Sequence, residues 1–95
     1  MKPMDNRAAV ITVIGNDTIG IIAKVSGILA DNQVNIKDIT QTILEDIFTM
    51  IMIVDLTKST VDIKDLADKL DALGEDIGLS VRIQNSNIFN AMHRI

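Results

Sequence analysis

The stretch "GNDTIGIIAKVSGILADNQVNI", Gly15 to Ile36, contains a loop, a helix and the entry to a strand in that order. Gly15, Asn16, Asp17, Thr18 and Gly20 form a small polar reversal. From Ile21 the apolar residues change rhythm: Ile21, Ile22, Val25, Ile28 and Leu29 share one arc of a helix about 120° wide. Lys24 and Asp31 lie opposite, and Asp31-Asn32 closes the helix. Asp17 is placed to cap it. Gly20 falls at the third helical position, where Ala would be accepted. Gly27 with Ala23 and Ala30 makes a small-residue ridge that reads as close packing.

The chain on either side completes a pattern. Ahead of the loop, "AAVITVI" (Ala8 to Ile14) is short and β-branched, so it reads as a strand. Behind it, "VNIKDITQTIL" (Val34 to Leu44) is a strand whose apolar parity changes. Val34 and Ile36 share one face; Ile39, Gln41 and Ile43 share the other. A bulge near Lys37-Asp38 reconciles them. Glu45-Asp46 turns into "IFTMIMIVDL" (Ile47 to Leu56), which makes a hairpin. Lys58 to Thr60 opens a second helix, with Ser59 or Thr60 as its cap and Asp62 and Asp65 favouring its positive end. Its buried stripe is Ile63, Leu66, Ala67, Leu70 and Leu73, and Gly74 and Gly78 mark its end. "LSVRIQ" (Leu79 to Gln84) alternates as a strand with one wet face. The tail "IFNAMHRI" sets Ile88, Phe89, Met92 and Ile95 at helical spacing, behind a Ser86 or Asn87 cap.

The order β-α-β-β-α-β predicts an α+β, ferredoxin-like fold: a four-stranded antiparallel sheet with two helices on one face, and here a short C-terminal helix in addition. The first and third strands should be central. Both are apolar on two faces, yet the helices cover only one. The other face needs a cover, either a second subunit or the C-terminal helix. The expectation is one domain over residues 1–95, with a core at 8–85 and a helical tail at 86–95.

Composition narrows the function classes. The chain has 95 residues, a net charge of −4 and only two aromatics, Phe48 and Phe89. An acidic chain with no stacking platform argues against nucleic acid, and the charge also argues against an anionic membrane surface. Absence of cysteine removes thiolate chemistry, disulfides and Cys-based metal sites. The apolar run Ala8 to Ile14 is too short for a signal segment or a membrane span, so a cytoplasmic protein is expected. The single histidine, His93, stands beside Arg94 near a helix end, which is ordinary dipole complementarity. Asp62, Asp65, Asp68 and Asp71 alternate with Lys64 and Lys69 and read as a solvated face. No catalytic residue, metal site or cofactor is expected. The loop after the first strand lacks the Arg of phosphate-cradling enzymes that share this architecture.

The opening stretch, with "DITQTI", "FTMIMIVDL", the second helix and the last strand, resembles an ACT domain over roughly residues 8 to 85. Asp17, Gly20, Ile21, Asn35 and Ile36 carry the most specific part of the likeness. Ile19 stands where the commoner ACT pattern has Pro. The whole is similar to small single-ACT proteins and to the ACT regions of glycine-cleavage regulators and formyltetrahydrofolate deformylases. The resemblance implies a non-catalytic regulatory module that binds a small molecule, typically an amino acid, at a subunit interface. The implied site is Asn16, Asp17, Thr18, Ile19, Gly20, Ile21, Asn35 and Ile36. The physics of the stretch agrees. A helix N-terminus suits a carboxylate, Asp17 could accept from an ammonium group, and Asn35 offers both donor and acceptor. A homodimer is the expected assembly. The alternative is an interaction module that dimerises or docks on a metabolic enzyme without a ligand.

Overall fold

The computed structural model describes residues 8–16 and 19–85. Its elements run β1 (Ala8–Asn16), α1 (Ile21–Asp31), β2 (Asn35–Leu44), β3 (Ile47–Asp55), α2 (Ile63–Ile77) and β4 (Leu79–Asn85). The four strands form one sheet in the order β2-β3-β1-β4, every neighbouring pair antiparallel. β1 and β3 are therefore central, as their double apolar faces require. The expected C-terminal helix falls in 86–95, outside the described residues.

The core lies between the sheet and the helices. Ala9, Ile11 and Val13 of β1 are fully buried, as are Met50, Met52 and Val54 of β3. Val25 and Leu29 of α1 and Leu66 and Leu70 of α2 close over them. The buried arc of α1 is narrower than its apolar pattern. Ile21, Val25 and Leu29 are buried and Ile28 is partly so, but Ile22 is 39% exposed. It lines the margin between α1 and β2 with Gln41 and Ile43.

The parity change in β2 is a bulge: the pairing with β3 slips between Ile36 and Asp38. The extra residue lets Ile36, Ile39, Gln41 and Ile43 all stand on the helix side, opposite Val54, Met52, Met50 and Phe48.

The helix ends differ from expectation in three places. α1 starts after Gly20, which is its N-cap residue at φ 87°, so Asp17 does not hold that position. At that φ an Ala is strained, where the sequence suggested it would be accepted. α2 is capped by Asp62, whose side chain accepts from the Asp65 N–H at 2.9 Å. Ser59 and Thr60 are occupied elsewhere: the Ser59 hydroxyl bridges Val61, and the Thr60 N–H and hydroxyl donate to Asn32 O at 3.0 and 3.4 Å, tying the end of α1 to the approach of α2. Gly74 does not end α2 but lies buried within it, and the helix closes at Gly78, at φ 75°.

Candidate functional site

The connection from β1 to α1 turns at one end of the sheet, which we call the loop end. β1 finishes there with Asn16, opposite Ile47. Ile19 is 97% exposed, and Gly20 turns the backbone into the helix. Among the described residues no side chain caps α1, and its first turn has no acidic residue. The first N–H groups of a helix have no intrahelical partner, so this end presents donors and partial positive charge. Asp17 and Thr18 lie outside the described residues.

Beside this end is a shallow groove of about 280 Å³ between α1 and the edge strand β2, lined by Gly20, Ile21, Ile22, Ala23, Gln41, Ile43 and Phe48. Its floor is apolar; Gln41 is the side-chain amide in its lining.

Asn35 and Ile36 are elsewhere. Asn35 begins β2 opposite Asp55, and Ile36 is half-buried opposite Val54. Both sit at the far end of α1, an 11-residue helix about 16 Å long. Of the eight residues singled out from the sequence, the six described form two groups in one chain: Asn16, Ile19, Gly20 and Ile21 at the loop end, and Asn35 and Ile36 at the other.

Around Asn35 the structure adds residues that the sequence did not suggest. A concavity of about 550 Å³ is lined by Ala30, Gln33, Val34, Asn35, Asp55, Thr57 and Lys58. It combines a carboxylate, an ammonium group and two amides. Gln33, at φ 61°, makes the tight passage from α1 to β2. The Asp55 carboxylate accepts from the Thr57 N–H at 2.9 Å and from its hydroxyl at 2.6 Å, which orients it. No local motif announces this group. Asp55, Thr57 and Lys58 meet Gln33 and Asn35 only because β3 pairs with β2.

Among the described residues no group of three or more acidic or histidine side chains is placed to hold a metal ion. The Lys64–Asp68 pair is 3.9 Å apart and largely exposed, as a solvated helix face would be. No described helix is long and apolar enough to cross a membrane. His93 lies outside the described residues.

Comparison with known proteins adds a family. The ACT domain family model matches residues 7–84. A UPF0237 protein of Methanococcus maripaludis is 52% identical over 86 residues, 90% of this chain and 96% of the relative. The solved ACT domain protein from Streptococcus pneumoniae is 38% identical with a TM-score of 0.77, over 87% of this chain and 93% of that one. A formyltetrahydrofolate deformylase from Pseudomonas syringae pv. tomato shares the fold, with a TM-score of 0.78 at 22% identity over 84% of this chain and 28% of that one.

Proposed function

The chain belongs to the ACT domain family, and from that premise we propose that it is a non-catalytic, cytoplasmic regulatory module binding an amino acid where two copies meet. The observation that carries the reading is the separation of the two polar groups to opposite ends of one sheet edge. β2 is that edge: among the described residues it pairs only with β3, and its run from Lys37 to Leu44 is exposed throughout. A two-fold axis through the middle of β2 would pair it antiparallel with the β2 of a second copy. The Asn35 end of each protomer then stands beside the loop end of its partner. Each of two equivalent sites would take Gln33, Asn35, Asp55 and Lys58 from one chain and the N–H groups before Ile22 from the other.

The chemistry of such a composite suits a zwitterion. Asp55 attracts an ammonium group, Lys58 and the partner's helix N-terminus attract a carboxylate, and the amides of Gln33 and Asn35 supply both donors and acceptors. Asp17 and Thr18, between Asn16 and Ile19 in the sequence, add a carboxylate and a hydroxyl. ACT domains are typically regulatory and bind amino acids, which favours the same ligand class.

A second reading rests on the exposed apolar residues of the loop end. Ile19 is 97% exposed, Leu44 71% and Ile43 53%. Such a cluster suits docking on a regulated enzyme without any small ligand.

Thermal melts with each amino acid separate the two. A ligand that binds only the native state at a hundred times its Kd adds about 2.7 kcal/mol of stability. No shift with any amino acid at millimolar concentration sends the reading to the docking module. A mixing experiment then tests the composite site. Asp17→Asn and Asn35→Ala are each expected to weaken binding by about tenfold or more alone. When the two variants are mixed, half the dimers are mixed and one of their two sites is intact, so about a quarter of the sites returns. A site within one chain would recover nothing.

A further inference from the structure

The sheet face turned away from the helices carries a narrow apolar strip. Register places Ile53 beside Val10, Ile51 beside Thr12, Thr49 beside Ile14, and Ile47 beside Asn16. Ile14, Ile47, Ile51 and Ile53 are 45, 47, 43 and 39% exposed. The flanking strands are mostly polar on this face: Asp38, Thr40 and Thr42 of β2, with Leu44 beside Ile47 at the loop end, and Ser80, Arg82 and Gln84 of β4. Beyond Leu44 at the loop end, the apolar strip is therefore two strands wide on a sheet four strands wide.

Its dimensions select the cover. Two strands about 4.8 Å apart, with four side-chain rows about 6.8 Å apart, make a strip roughly 10 Å wide and 20 Å long. A stable protein–protein interface takes about 800 Å² from each partner, several times this footprint. A single α-helix is about 10 Å across, and eight residues of helix span about 12 Å.

The sequence supplies such a segment at the right place. β4 ends at Asn85, opposite Ala9, one residue beyond the row that holds Gln84, Val10 and Ile53. Ten residues follow, in which Ile88, Phe89, Met92 and Ile95 share one helical face. Ser86 and Asn87 are suited to reverse the chain. Residues 1–7 also leave from this end, but MKPMDNR carries only two methionines and a proline among charged and amide side chains.

We infer that residues 86–95 fold back as a helix across the outer sheet face of their own chain, with Ile88, Phe89, Met92 and Ile95 seated on the strip formed by Val10, Ile14, Ile51 and Ile53. Attachment at Asn85 favours the segment of the same chain, because tethering keeps its local concentration high. This surface is separate from the β2 edge, so the inference does not rest on the proposed ligand site. It leaves the edge free for a second copy while closing the face.

The chain has no cysteine and no tryptophan, which makes two probes clean. The first is the full chain carrying Thr12→Cys with Ala91→Cys, treated with a short bismaleimide. Expected is a bridge within one chain, formed at least tenfold faster than in a control with Lys69→Cys on the exposed side of α2 and Ala91→Cys. A bridge between two chains assigns the strip to a second copy and overturns the inference, as does a rate no higher than the control. The second probe is Phe89→Trp, which leaves Thr12 and Ala91 intact. Its emission is expected to be blue-shifted and protected from acrylamide several-fold relative to free tryptophan, independent of protein dilution. Emission like that of free tryptophan overturns the inference, and so does protection that disappears on dilution.

Discussion

Gly74 and Gly27 are both helical glycines, and the structure gives them opposite meanings. A Cβ at Gly74 would meet Leu79 O at 2.6 Å and Val81 Cγ2 at 3.2 Å. The glycine lets α2 come close to the start of β4, to which the chain returns after only one intervening residue, Gly78. Gly74→Ala is expected to lose about 1–3 kcal/mol, the usual cost of overpacking, read as a lower midpoint in urea. A Cβ at Gly27 would meet no described atom within 4 Å, so the close packing expected of the Ala23-Gly27-Ala30 ridge is not made among the described residues of this chain. Gly27→Ala should instead stabilise by up to about 1 kcal/mol through helix propensity. A fall in melting temperature would place a second copy against that ridge. Gly20 constrains the ligand experiments in the same way. Its φ of 87° makes Gly20→Ala a backbone change of about 1–2 kcal/mol, so loss of binding in that variant would not report on ligand approach. Asp17→Asn, which removes only the charge, is the better probe of the loop.

At the scale of elements, the turns and caps hold the arrangement. The β2–β3 hairpin closes through Glu45 and Asp46, with Leu44 opposite Ile47. Glu45 is at φ 59°, a conformation that two-residue hairpin turns favour and that glycine adopts without a Cβ penalty. Glu45→Gly is therefore expected to raise stability by up to about 1 kcal/mol, seen in thermal melts of parent and variant. The start of α2 separates two capping assignments. If Asp62 is the cap, Asp62→Ala loses about 1 kcal/mol. Ser59→Ala and Thr60→Ala then act through the Asn32 and Val61 links, not through the free N–H groups of the helix. Comparing amide exchange of the first turn of α2 in the three variants distinguishes them, because only loss of the cap speeds exchange of the Asp65 N–H.

For the whole molecule the open surfaces matter most: the β2 edge and the outer face. An unpaired edge strand invites strand addition. Thr40 lies near the middle of β2, close to the two-fold axis that the composite site needs. Thr40→Lys would set like charges near each other across that axis, and the dimer is expected to weaken by about tenfold or more in sedimentation equilibrium. A parent that remains a monomer of about 10 kDa at tens of micromolar would remove both the assembly and the shared site. The outer face makes a separate demand. With Phe89 seated on the strip, Phe89→Ala should cost roughly 3 kcal/mol, whereas a melt within a degree or two of the parent would leave the strip without that cover.

The order of elements was legible in the residues because each one has a local cause. The spacing of Ile21, Val25 and Leu29 is helical, "AAVITVI" is β-branched, and the parity change from Ile36 to Ile39 requires the bulge that the β2–β3 register contains. The double apolar faces of β1 and β3 marked them as the central strands; their helix-side residues are buried, while Ile14, Ile51 and Ile53 on the other face are 45, 43 and 39% exposed. Tertiary structure alone decided what depends on approach between distant segments. Gly74 reads as a helix end until Leu79 O is found against it. Ser59 and Thr60 read as caps until Asn32 and Val61 are seen to occupy them. Asn35 reads as a neighbour of Gly20, and the length of α1 sets the two at opposite ends of the sheet edge. Asp55, Thr57 and Lys58 carry no spacing that marks them as one group with Gln33. They become one because backbone hydrogen bonds between β2 and β3 bring together residues some twenty positions apart, and hydrogen-bonded pairing between strands leaves no periodicity in either strand to read.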